Sequence, residues 1–114
     1  MEQSTLRKQL TEYLSRSSPG LLEFFNIYCT LIYETDCLTL LFTTPSKLYH
    51  IFTVHFKGDV ISADHAFTIL FLKPLAHILG REDIVRELLD YAKTSRDKEF
   101  TRLLLDYRDS SIKS

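Results

Sequence analysis

A chain of 114 residues with 45% hydrophobic and 25% charged content and a formal net charge of −1 has the balance of one ordinary globular domain. That length supports a hydrophobic core without metal or disulfide staples, and disorder is excluded as the general expectation. By region the formal charge is +1 over 1–18, −3 over 19–46, +1 over 47–79 and zero over 80–114, so no polybasic arm is present to bind nucleic acid through bulk charge.

Leu6, Leu10, Tyr13 and Leu14 recur at the spacing of one helix face with Arg7, Lys8, Glu12 and Arg16 off it, which predicts an amphipathic helix over 5–16. Ser18-Pro19 reads as the next start, because serine caps free backbone N–H groups and proline fits the first helical position. From Leu21 onward Glu23, Asn26, Thr30 and Glu34 keep to a narrow polar seam. The spacing predicts a second helix whose remaining faces are apolar and need cover. The run Cys37 to Thr44 is short and apolar, and periodicity assigns it to neither strand nor helix.

Thr44-Pro45 repeats the cap pattern, and Leu48, Ile51 and Phe52 follow at helical spacing up to Gly58. The competing pattern is the alternation of Phe52, Val54 and Phe56, with Lys57-Gly58-Asp59 as a hairpin turn. Ser62 is expected to cap a helix reaching Leu79, with Ala63, Ala66, Phe67, Leu70, Leu75 and Ile78 inward and Gly80 as the stop. Pro74 removes a backbone bond and is expected to kink or split that helix. Two further stripes, Ile84, Val85, Leu88, Leu89, Ala92 and then Phe100, Leu103, Leu104, Tyr107, are joined by Thr94-Ser95, which forces an antiparallel pair. Residues 109–114 carry no stripe and are expected to fray. The predicted fold is all-α: one domain over 1–114, a compact bundle of five to six helices ending in an antiparallel helical hairpin. The alternative is α+β with a small hairpin within residues 37–61.

His50, His55, His65 and His77 are the first place to look for metal or acid–base chemistry. Two ligands on one helix face need a spacing of three or four, but His50 and His55 are five apart and His65 and His77 twelve apart. Ordinary, partly buried histidines and no metal site are expected. Glycines isolated at 20, 58 and 80 exclude a glycine-rich phosphate loop. Cys29 and Cys37 match neither a disulfide framework nor a metal knuckle, so both are expected to be structural thiols, the second kept unreactive by Asp36. With no signal-peptide core at the N-terminus, the expected compartment is the reducing cytoplasm. The longest uncharged stretches, 24–33 and 37–46, are about half the length a membrane span needs, so no membrane partner is predicted. No catalytic set or cofactor emerges, and enzymatic activity is left only as a site assembled by folding, around Tyr49, His50 or His55.

Two surfaces are candidates for function. The all-round apolar segments Leu21 to Ile32 and Phe67 to Leu72 exceed what so small an interior can cover, and uncovered apolar surface marks a protein partner or self-association. The leading expectation is therefore a non-enzymatic interaction protein, a small subunit or adaptor joining a larger assembly through an apolar helix face. The second surface is Arg86, Lys93, Arg96, Lys98 and Arg102 on the C-terminal hairpin, a basic ridge for a phosphate backbone if the helices align them. Eight acids accompany eight bases over 80–114, which is also the pattern of a plain solvated surface. In size and predicted helicity alone the chain is similar to the small helical subunits of CRISPR effector complexes. That likeness implies nucleic acid contacted through a larger complex, and the near-neutral charge departs from what following a strand requires.

Overall fold

The stripe of Leu6, Leu10 and Leu14 is buried along α1 (Gln3–Ser17) of the computed structural model, which describes the backbone of residues 3–113 and the side chains of 5–105. The expected tail at 109–114 lies outside the residues described in full. α2 (Leu21–Tyr33) begins two residues later than its proline suggests. Ser18 provides no side-chain cap; its carbonyl accepts from the Leu21 amide, and Gly20 takes the left-handed conformation at φ 85° that the turn into α2 requires.

The unassigned apolar run is a helix, α3 (Cys37–Thr43), buried through Cys37, Leu38, Leu40, Leu41 and Phe42. Contacts at its start hold so short a helix. Asn26 on α2 accepts from the Cys37 amide at 2.9 Å, and Asp36 is paired with Arg7 of α1 and accepts from the Thr39 hydroxyl. Cys29 and Cys37 form a disulfide with their Cα atoms 5.4 Å apart, an ordinary span for such a bond. This corrects the expectation of two free structural thiols, and a bonded Cys29–Cys37 pair no longer speaks for a reducing compartment.

α4 (Pro45–His55) has proline at its first position as expected, with Leu48, Ile51 and Phe52 fully buried. The hairpin alternative for 37–61 is overturned, since the described residues contain helices and no strand. Thr44 makes no side-chain cap; the carboxylate of Asp97, 51 residues away, accepts instead from the Ser46 amide and hydroxyl, each at 2.9 Å. α5 (Val60–Phe67) starts before its expected cap, with Asp59 accepting from the amide and hydroxyl of Ser62. These bonds hold the Asp59 carboxyl below its ordinary range.

Pro74 does not end the helical run. A π-helical turn (Thr68–Leu72) precedes α6 (Lys73–Leu79), and the Lys73 amide donates to the Thr68 carbonyl five residues back. The wider turn accommodates a residue whose ring crowds the preceding carbonyl and which offers no N–H. Gly80 closes α6 in the left-handed conformation, and a 3₁₀ turn (Glu82–Ile84) leads into α7 (Val85–Lys93) and α8 (Asp97–Lys113). α7 packs on α8 as the short connection requires. Counting α5, the π turn and α6 as one rod, the described residues hold seven helices, and α3 is the addition to the expected five to six. Their buried side chains form one cluster whose largest fully buried members are Phe52, Phe67, Phe71 and Phe100, and the radius of gyration of 13.3 Å is that of a compact chain of this length.

Candidate interaction surface

α2 buries only Phe25 and Cys29 fully, and its other apolar side is left uncovered by the chain. Leu21, Phe24, Ile27 and Leu31 follow one another at intervals of three and four, so they share a stripe, and Ile27 and Leu31 are 59% and 76% exposed. The polar seam of Glu23, Thr30 and Glu34 borders this stripe, so the helix carries three bands: core, polar and exposed apolar. The expectation that α2 would be covered on most sides fails within a single chain, whereas the expectation that this segment leaves apolar surface uncovered holds.

A second apolar rail runs along α5 and the π turn. Ile61, His65 and Ile69 are spaced by four, with Ile61 83% and Ile69 46% exposed. Between the rails lies an open groove of about 320 Å³ whose buried floor includes Phe25 and Leu70 and whose rim includes Leu21, Phe24, His65 and Ile69. At the end of α4, His55 closes one part of the floor. Its ring meets Phe24, Phe25, Tyr28 and Phe56 edge-on at centroid separations of 5.6, 5.3, 5.2 and 4.8 Å, and its Nδ1 lies 3.2 Å from the Tyr28 hydroxyl. Edge-to-face rings favour one another electrostatically, so the cluster is a rigid support for the exposed Phe24.

The residues considered for a folded catalytic site go separate ways. Tyr49 is buried and its hydroxyl donates to Asp64, which also accepts from Lys93 at 2.7 Å. Burial, the bond to Asp64 and its charge push the phenol far above its ordinary range. His50 is exposed beside Tyr33, and His55 sits in the aromatic cluster; no hydrogen bond joins the three among the described residues. The histidines as a group are more exposed than expected, with His50, His65 and His77 on the surface and only His55 half-buried. No group of three or more potential metal ligands occurs among the described residues.

The five basic residues are likewise divided. Lys93 is engaged by Asp64, Arg96 lies over the Tyr91 ring at 5.0 Å, and Arg86 is exposed on α7. Lys98 and Arg102 come together on a cavity of about 550 Å³ between the end of α3 and α8, alongside Thr43, Thr101 and Asp97. Asp97 also lines that cavity, with its carboxylate oxygens held by the Ser46 amide and hydroxyl.

Protein-family models, curated proteins and solved structures offer no match to this chain. Its reading therefore rests on its own surfaces. Among the described residues no helix is long and apolar enough to cross a membrane, so the exposed stripe of α2 is not a spanning segment. The stripe was legible in the sequence as an excess of apolar residues. Of the other all-round apolar segment, Phe67 to Leu72, only Ile69 is left exposed while Phe67, Leu70, Phe71 and Leu72 are buried; Ile61 and His65 lie outside it, and the signal that could have found them is that they are left over once Ala63, Ala66, Phe67 and Leu70 are turned inward.

Proposed function

We propose that the protein is a non-enzymatic interaction module, a subunit or adaptor that joins a larger assembly through the outer apolar face of α2. The observation that carries this reading is the run of Leu21, Phe24, Ile27 and Leu31 exposed along one stripe beside an apolar groove. Isolated exposed leucines are common, but a contiguous stripe with its own groove is costly to leave in water, since each such side chain gains about 1.5–3 kcal/mol on full burial. A helix face presenting residues at intervals of three and four is also the form in which helices meet partners. Light scattering after size exclusion, together with pull-down, tests the reading with an Ile27→Glu/Leu31→Glu variant whose helicity is checked by circular dichroism. Association lost in a folded variant supports it; a wild-type chain that is monomeric and retains no partner removes it.

A second reading, contact with a nucleic acid inside such an assembly, is favoured by Lys98 and Arg102 sharing one cavity. Two cations lining one cavity with Thr101 suit a phosphate oxygen, whereas the Thr43 hydroxyl already donates to the Thr39 carbonyl and the adjacent Asp97 opposes an anion. Lys98→Glu/Arg102→Glu is expected to weaken DNA or RNA binding with a reduced salt dependence, and unchanged binding sinks this reading.

A further inference from the structure

The two halves of α2 are held to the body differently, and the disulfide carries one of them. Phe25 anchors the first half: it is buried, and its ring stacks on that of Phe52 with centroids 4.5 Å apart. Over residues 26–33 Cys29 is the single fully buried side chain, while Ile27, Thr30, Leu31 and Ile32 are exposed. Apart from the disulfide, this half is joined to the body by the Asn26 bond to the Cys37 amide and by Tyr28 and Tyr33, half-buried beside His55 and His50. It ends on Glu34 in the left-handed conformation at φ 59°, which a side chain with a Cβ disfavours, so the turn gains by relaxing. The other end of the bond is secured independently. α3 buries Leu38, Leu40, Leu41 and Phe42 besides Cys37, and Asp36 just before it is paired with Arg7 of α1.

We propose that the Cys29–Cys37 bond is a reducible latch on the second half of α2: a dithiol reductant opens it, residues 26–33 come away from the body, and α3 stays in place. One thiolate of the reductant attacks the Cys29 sulfur as this half frays, the S–S bond breaks, and Cys37 leaves as a thiolate that takes up a proton. The second thiol of the reductant then displaces Cys29, which is protonated in turn, and the reductant departs as its own disulfide. Two electrons and two protons have passed from the dithiol to the chain. Ile27 and Leu31 lie in the half that is released, so the bond decides whether they stand on a fixed helix beside the groove. That consequence rests on the reading of α2 as an interaction face; the release itself does not.

NMR on the isotope-labelled full chain tests the latch, with dithiothreitol as the dithiol. Reduction is expected to abolish the helical Cα chemical shifts of residues 26–33 while α3, α6 and α7 keep theirs, and reoxidation with oxidised glutathione to restore them. Helical shifts retained along the whole of α2 overturn the proposal, since the bond is then a passive staple. Their loss across α3, α6 and α7 overturns it as well, because the body would then depend on the bond as much as α2 does. Ile27→Glu/Leu31→Glu in the oxidised chain separates the two readings. If reduction frees residues 26–33 but that variant associates as the wild type does, the latch stands and the interaction face is removed. If the variant loses association and α2 keeps its helix on reduction, the interaction face stands and the latch is removed.

Discussion

Tyr49 is the residue whose chemistry the fold alters most. Its ring is buried against Phe67, and its hydroxyl donates to an Asp64 carboxylate that Lys93 also holds, which ties α4, α5 and α7 together through three side chains. The folded-state pKa of the phenol is raised, so its contribution to stability is complete below the ordinary tyrosine value of about 10 and is withdrawn as pH rises above it. Tyr49→Phe is therefore expected to flatten the alkaline loss of stability. Denaturant midpoints measured from pH 9 upward check this, and parallel curves for the two proteins contradict it. Asp97 makes a second long-range tie, and Asp97→Ala is expected to cost about 1 kcal/mol by uncapping α4. A double-mutant cycle with Ser46→Ala reads the coupling directly, and additive losses would mean that the two residues act separately. Neither tie was legible in the sequence. Partners 15, 29 and 51 residues apart leave no local pattern, whereas a cap pattern such as that of Ser18, Thr44 or Ser62 lies within one turn of the helix it would start.

Among the helices, α3 shows why a clear apolar run can stay unassigned. Periodicity is a contrast between a wet face and a dry one, and a helix buried at five of its seven positions has little contrast to offer. α1, α7 and α8, each with a solvated face, were legible for the same reason. The disulfide was invisible because Cys37 lies eight positions after Cys29, a spacing that brings no pair together on one helix; only the turn after α2 returns the chain to it. Closing so short a loop constrains the unfolded chain modestly. Reduction is expected to lower stability by roughly 2–3 kcal/mol, read as the shift in urea midpoint with and without a thiol reductant. No shift would mean that the bond does not form in the folded chain. The π turn before Pro74 also follows from local sequence, although the sequence alone did not decide between a kink, a split and a widened turn.

For the molecule as a whole, the class and the inward stripes were readable, while the outward ones depended on which faces the chain itself leaves bare. The sequence shows that α2 has more apolar surface than a polar seam can balance, but only packing shows that its uncovered part faces solvent beside α5. Substitution of Leu31 by Glu, at a site 76% exposed, is expected to leave the unfolding midpoint within about 0.5 kcal/mol of wild type while changing association, because nothing in the single chain leans on it. A large loss of stability on that change would show that the side chain is buried in the folded monomer. The Cys29–Cys37 bond also governs the covalent connectivity of this chain. It spans the turn through Glu34, Thr35 and Asp36, so a protease that cuts there severs the backbone without separating the pieces. The nicked product is expected to migrate as one 13.3 kDa species without reductant and as two fragments with it, with the α2 face still attached to the body that supports it.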